Sequence, residues 1–344
     1  MKKNPAIAVV IAIVVIAVLA FALYGAWQNR TAKEPVPGAM EPVVIGMEPN
    51  LVNSLIIVAD DQGFFTENGL NVIIRNYPSG AAAVDGMMRG ESDIATASEF
   101  VLVGKALASG PVSTFASIDR FQQIYLVARK DRGIGSISDI KGKKIGVPLK
   151  TAGEFYFGRF LTLHGIGMGE VAEVNVPPQQ SADAMANGSV DAIVAWQPNV
   201  KAIETLLANG TVKWPAQGGQ PAYCIAVATT SWTSIHPDTV NRFVNAIQQA
   251  ESYAAGHPDE ARAIVQKHLG YDDTFMDTIW PDHQFALMLD QSLILAMEDE
   301  ARWEIANNAT NATAVPDFGN YIYTKGLDTV KPGSVNIITG SGTS

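Results

Sequence analysis

Three short runs carry residue types suited to holding a polar solute: Ser79-Gly80, Ser98-Glu99 and Thr151-Ala152-Gly153-Glu154. Each follows a strand-like apolar run (71–75, 93–97 and 144–147) and opens a helical one. The first N–H groups of a helix have no partner inside the helix, and its dipole favours negative charge there. A hydroxyl or backbone donor at such a corner therefore suits an anion or a polar group. The same residues also have a purely structural reading. Ser79 and Ser98 are ordinary N-caps, and Thr151-x-x-Glu154 has the spacing of a capping box that satisfies those donors internally. Trp196 follows a further strand-like run, 192–195. An indole there stacks on a planar ligand or walls a cleft, and the alternative is a core or hinge tryptophan.

The sequence carries none of the common catalytic or metal-binding patterns. The five histidines, at 164, 236, 257, 268 and 283, form no H-E-x-x-H, and the chain has no G-x-S-x-G. Gly142-Lys143-Lys144 lacks the upstream glycine and the Ser/Thr of a phosphate loop. Gly165-Ile166-Gly167-Met168-Gly169 follows a helix instead of opening one, so it reads as a turn and not as a dinucleotide fingerprint. Cys224 is the single cysteine, which leaves no intrachain disulfide and no cysteine-based metal cluster, and it reads as a small buried hydrophobe. No catalytic residue, metal or cofactor is expected.

The corners are set by a βα pattern that the chain writes twice. Asp85-Gly86-Met87-Met88-Arg89-Gly90-Glu91-Ser92-Asp93-Ile94 is echoed by Asp183-Ala184-Met185-Ala186-Asn187-Gly188-Ser189-Val190-Asp191-Ala192, with the shared Asp, Met, Gly and Asp each 98 positions apart. Each copy reads as a helix stopped by Gly, a tight turn and a buried strand. Two copies of one corner predict two similar α/β lobes, and ligands bind in the cleft between such lobes, outside the carboxyl ends of the strands. The predicted first lobe spans 43–128 and 225–344, and the second, 129–224, is inserted into it. The two crossings, near 128–131 and 222–229, would form a hinge. Within this scheme, strands are expected at 43–47, 71–75, 93–97, 112–117, 124–128, 144–147, 171–176, 192–195 and 223–229. Helical periodicity covers 238–255, 258–269 and about 282–306.

With 344 residues, 47% hydrophobic and 17% charged, the chain has enough apolar material for two ordinary cores. It opens with Lys2 and Lys3, followed by an uncharged apolar stretch from Ala6 to Ala26. About 20 such residues span a bilayer, and the flanking lysines keep the start inside. Residues 1–30 are therefore read as a transmembrane anchor. The competing reading is a signal peptide cleaved after Ala20-Phe21-Ala22. Either one makes the folded part extracytoplasmic, joined through a Pro/Gly/Ala-rich linker, 31–42. The net charge is −10, and the first 33 residues hold four basic and no acidic side chains, so the remainder stands near −14. That balance disfavours nucleic acid and adsorption on anionic lipid.

Several segments together resemble one family. They are Gly63-Phe64-Phe65-Thr66-Glu67-Asn68-Gly69-Leu70-Asn71-Val72, Gly90-Glu91-Ser92-Asp93-Ile94, Ser138-Asp139-Ile140-Lys141-Gly142-Lys143-Lys144-Ile145-Gly146-Val147, Val190-Asp191-Ala192 with Trp196 and Pro198, and His257-Pro258-Asp259-Glu260-Ala261. In this order they are similar to the nitrate/sulfonate/taurine/thiamine-pyrimidine group of periplasmic substrate-binding proteins. The resemblance implies a type II periplasmic-binding-protein fold of two α/β lobes. It implies a monomer that captures a small polar or anionic solute and delivers it to an ABC permease and its ATPase. By the same resemblance the ligand contacts are Pro49, Asn50, Ser79, Gly80, Ser98, Glu99, Thr151, Ala152, Gly153, Glu154 and Trp196. The acids Glu99 and Glu154 argue against a bare oxyanion, and Glu154-Phe155-Tyr156 keeps an aminopyrimidine or other aromatic solute open. Two further classes share the fold. One is an enzyme, a pyrimidine synthase or a chorismate-type dehydratase; the pyrimidine synthases use a cysteine cluster and a reactive histidine, which a chain with Cys224 alone does not offer. A receptor domain would need a separate signalling chain.

Overall fold

The structure, a computed structural model, describes residues 40–208 and 210–338. The segment read as anchor or signal, 1–30, lies outside the described residues, as does the linker up to residue 39. Among the described residues no helix is long and apolar enough to cross a membrane.

The chain first lays down β1 (Glu41–Met47), α1 (Ser54–Asp61), β2 (Leu70–Asn76), α2 (Gly80–Met88), β3 (Ile94–Ser98), α3 (Glu99–Leu107) and β4 (Val112–Phe121). It then builds a second unit from β5 (Tyr125–Arg129), β6 (Lys144–Val147), α4 (Ala152–Leu163), β7 (Ala172–Asn175), α5 (Ser181–Asn187), β8 (Ala192–Ala195), α6 (Asn199–Leu207) and β9 (Thr211–Pro215). It returns through β10 (Ala222–Thr229), α7 (Pro237–Gly256), α8 (Pro258–Leu269), β11 (His283–Gln284) and α9 (Gln291–Ala306). The first sheet runs β11-β4-β10-β3-β1-β2 and the second β7-β6-β8-β5-β9. In each, three parallel strands are followed by an antiparallel one: β2-β1-β3 by β10, and β7-β6-β8 by β5.

The repeated phrase does the same physical work in both sheets. Gly90 and Gly188 stop their helices at φ +77° and +76°, a region closed to most side chains. Three residues later Asp93 accepts the Val44 N–H at 2.8 Å, and its own N–H bonds the Val44 carbonyl. Asp191 does the same with Lys144, its carboxylate accepting the Lys144 N–H at 2.9 Å. The repeated Asp thus locks β3 onto β1 in the first lobe and β8 onto β6 in the second.

The crossings fall earlier than the sequence pattern suggests. The strand at 124–128, assigned above to the first lobe, pairs with β8 and β9 of the second sheet, so the chain crosses at 122–124 and returns at 216–221. An apolar strand is compatible with either sheet, and only its partners decide. Gln217 binds the two crossings together. Its Oε1 accepts from Ile124 N at 3.0 Å, and its Nε2 donates to the Phe121 carbonyl at 2.9 Å. The helix expected over 282–306 begins only at Gln291, capped by Asp290. The residues before it run beside β4, because buried Asp119 holds His283 and Gln284 there. The long α7 is fixed on the first lobe by Phe243, whose ring lies 5.7 Å from Phe65 and 5.5 Å from Phe115.

Candidate functional site

A cavity of about 60 Å³ lies between the lobes, at the carboxyl ends of β1 and β3 and the openings of α2 and α4. Seven expected contacts line it: Asn50, Ser79, Gly80, Ser98, Thr151, Ala152 and Trp196. Each is delivered by a strand-to-helix corner. Ser79 caps α2, its Oγ accepting from Ala82 N at 3.2 Å. Gly80 sits so close to β3 that a Cβ there would meet Ala97 Cα at 2.8 Å. Thr151 caps α4 through Gly153 N and donates to the Pro148 carbonyl at 2.6 Å. Ser98 makes no capping bond, although it precedes α3 directly.

Four of the expected contacts do not line the cavity. Pro49 is exposed and does not reach the lining. Gly153 packs α4 on its sheet, where a Cβ would meet Pro148 and Val194 at 3.1 and 3.3 Å. Glu154 bends back and accepts the Lys150 N–H at 2.5 Å, one residue earlier than in a regular capping box. Glu99 turns away and is 0% exposed, accepting the Tyr223 N–H at 3.0 Å. Its carboxyl is pushed well up by burial, with backbone donors opposing.

The lining also holds Glu48, Asn53, Thr96 and Gln123, which the sequence pattern did not single out, and Cys224, which it read only as a small buried hydrophobe. Thr96 Oγ1 and Gln123 Oε1 are buried without a protein partner. Buried polar atoms are normally satisfied, so these two mark where a solute or water would bond. Glu48 is the acidic group of the lining, and no Lys, Arg or His stands beside it there. Burial raises its carboxyl from 4.5 to about 7, against hydrogen bonds from Trp196 and Asn50 that lower it. Trp196 Nε1 donates to Glu48 Oε1 at 3.0 Å, and Asn53 Nδ2 donates to the Glu48 carbonyl at 2.8 Å. The available signal for Glu48 was its position: an acid one residue past a buried strand, at the end that faces a cleft. Cys224 is buried, and burial followed by nearby carboxylates holds its thiol well above its ordinary range.

The site has an acidic end and a donor end. Glu48 offers a carboxyl to a hydrogen-bond donor or cation. The first-turn N–H groups of α2 and α4 that Ser79 and Thr151 leave uncapped offer donors and a positive dipole end to an acceptor or anion.

The family model described as NMT1/THI5 like matches residues 50–261, more than half of the chain. The chain belongs to the NMT1/THI5-like family. A Brucella abortus protein whose name specifies binding but no solute is 25% identical over 233 residues, 65% of this chain and 70% of its own. The taurine-binding periplasmic protein of Escherichia coli is 27% identical over 204 residues, 58% of this chain and 62% of its own. Among solved structures, the alkanesulfonate-binding protein SsuA from Xanthomonas axonopodis pv. citri, bound to MOPS, superposes with a TM-score of 0.71 at 14% identity. That match covers 83% of this chain and 99% of SsuA. The two lobes and paired crossings are therefore the periplasmic-binding-protein fold, as the motif resemblance implied.

Proposed function

We propose that the chain is the extracytoplasmic solute-binding component of an ABC importer, closing its lobes on a small solute and delivering it to a permease and ATPase. The observation that carries this reading is the Trp196–Glu48 hydrogen bond, which joins the two lobes across a small cavity lined from both. Family membership and the names of the relatives support binding over catalysis. The Cys224 thiol, held up by burial, is poorly suited to nucleophilic work.

The solute proposed is a small zwitterion of the aminosulfonate type. Its ammonium would meet Glu48, and its anionic end would meet the openings of α2 and α4. Asn50, Ser79, Gly80, Ser98, Thr151, Ala152 and Trp196 are the proposed contacts, with Glu48, Thr96 and Gln123 added. An aminopyrimidine is the second reading, because Glu48 and the Trp196 indole together suit an amino group on a flat ring. Solute binding shifts an open–closed equilibrium about the Gln217-linked crossings toward the closed form. The apolar N-terminal segment either tethers the protein at the outer membrane face or is removed on export.

Calorimetric titration with taurine, ethanesulfonate, nitrate and a 4-aminopyrimidine tests the reading. A solute bearing an amino group is expected to bind at least tenfold more tightly than ethanesulfonate, and Glu48→Gln to erase the difference. Equal binding of taurine and ethanesulfonate would remove Glu48 from recognition. No binding by any of the four would count against this solute class.

A further inference from the structure

A second, larger groove of about 510 Å³ runs between the lobes, bordered by α2, α3, the loop entering α4, and α9 with the residues that follow it. It adjoins the cavity, since Ala81 and Val101 line both. Phe100, Val101, Ala108 and Leu149 supply apolar wall, and Gly104 leaves room over Glu304, where an added Cβ would lie 3.7 Å from Oε1.

The charges around this groove do not cancel. Lys105 is engaged with Asp85 at 2.5 Å. Lys150 faces Glu154, which also accepts the Lys150 N–H. Glu304 is the charge left over: it is 6% exposed, lines the groove, and its Oε1 has no hydrogen-bond partner. A buried carboxyl without a donor is costly in its ionised form. Burial, then the nearby Glu154, raises Glu304 to about 7. A cation entering from the groove would relieve both effects.

We propose that this groove is a second binding site, taking an aliphatic ammonium group whose charge meets Glu304 and whose carbon chain lies along Val101, Ala108 and Leu149. The ammonium is either that of a separate alkylamine or the far end of a solute whose head occupies the cavity. Apolar walls with one desolvated carboxylate suit a primary alkylammonium better than a strongly hydrated metal ion. The groove shares only Ala81 and Val101 with the cavity, so as a site for a separate alkylamine it stands or falls apart from the solute reading above, and as the seat of a solute's far end it rests on that reading.

The test is calorimetric titration of the protein with n-pentylamine, with n-pentanol as the uncharged control, and with 8-aminooctanesulfonate against octanesulfonate. Two variants accompany it. Glu304→Gln removes the charge in nearly the same shape, and Gly104→Leu fills the groove and leaves Glu304 in place. If the amine is separate, n-pentylamine binds at least tenfold more tightly than n-pentanol, and both variants lose that preference. If the ammonium is a solute's far end, 8-aminooctanesulfonate exceeds octanesulfonate by at least tenfold in the native chain and not in Glu304→Gln. Taurine binding at the cavity is expected to be the same in the native chain and in Glu304→Gln. Absence of both preferences, or their survival in both variants, would overturn the proposal.

Discussion

Trp196 Nε1 donates to Glu48 Oε1 at 3.0 Å, so the end of β8 in one lobe is bonded to the end of β1 in the other, inside the cavity. One side chain therefore serves as wall and as latch. The bond favours the ionised Glu48, which burial otherwise disfavours. Trp196→Phe keeps an aromatic ring and removes the donor, so the Glu48 carboxyl should titrate above its value of about 7. Carbon-13 NMR titration of the Glu side chains reads this directly. Trp196→Ala should weaken solute binding by more than about tenfold, the scale of one buried aromatic contact, and leave the fold intact. Unchanged affinity would remove Trp196 from the site.

Buried acids make stability fall as pH rises. Glu48 and Glu304 stand at about 7 instead of 4.5, both through burial first. Glu99 and Glu300 are raised by burial too, and the charge of Glu99 adds to the rise of Glu300. Between pH 4.5 and 7 the folded chain holds more protons on these groups than the unfolded chain, so the unfolding free energy decreases with pH. Both Glu300 oxygens lack partners. Glu300→Gln should therefore raise the melting temperature at pH 8 by about 3 °C, the shift produced by roughly 1–2 kcal/mol. At pH 4.5 the gain should nearly vanish. An equal gain at both values would mean that packing, not charge, sets the effect.

Much of this architecture is legible in the residues themselves. The echo of Asp85–Ile94 in Asp183–Ala192 announces two related lobes, because a helix stopped by Gly and followed by a tight turn and a buried strand is a local device with a local signature, whereas the bonds that anchor Asp93 and Asp191 reach 49 and 47 positions away. The corners at Ser79, Ser98 and Thr151 are legible for the same reason. What local pattern does not carry is direction. Glu99 follows Ser98 by one residue, yet Ser98 lines the cavity and Glu99 turns behind it toward Tyr223. Glu48 reads as an ordinary loop acid until Trp196, 148 positions away, is seen to reach it. The strand at 124–128 is equally opaque, since its apolar face fits both sheets and pairing with β8 and β9 settles the matter.

Cys224 provides a probe of the cavity, being the sole cysteine and one of its lining residues. Burial, followed by nearby carboxylates, keeps its thiol protonated, and thiolate is the reactive form. Labelling by a small maleimide at pH 7 should be at least tenfold slower in the folded chain than in urea. A saturating cavity solute should slow it further. Mass spectrometry of timed samples reads both rates, and a solute that binds without slowing labelling would have to sit elsewhere.

Asp119 and His283 form an ion-pair geometry with both side chains fully buried, 2.6 Å apart, and Asp119 also accepts the Gln284 N–H at 3.1 Å. This contact keeps the chain before α9 against β4. Asp119→Ala would leave the buried His283 ring and the Gln284 N–H without their acceptor, at a cost of about 3 kcal/mol. Urea unfolding should show that loss in the midpoint, with little change in slope. A variant within about 0.5 kcal/mol of the native chain would mean that the β11 strand is held by other contacts.

Gly80 tests whether the opening of α2 is set by backbone contact with β3. An added Cβ would meet Ala97 Cα at 2.8 Å and the Thr96 carbonyl at 3.2 Å, both on β3, which cannot swing aside as a side chain would. Gly80→Ala must therefore lift the start of α2 off the sheet, costing about 1–3 kcal/mol. The same shift moves the N–H groups of the first helical turn, and Ser79 beside them, away from the cavity. Affinity for a cavity solute should fall by more than about tenfold, since misplacing several donors together costs more than about 1.4 kcal/mol. Gly169→Ala supplies the control, because nothing lies within 4 Å of its Cβ position. It should leave both stability and affinity unchanged. Gly80→Ala with native affinity would show that the solute does not depend on the α2 opening, and would shift recognition toward Glu48, Trp196 and the opening of α4.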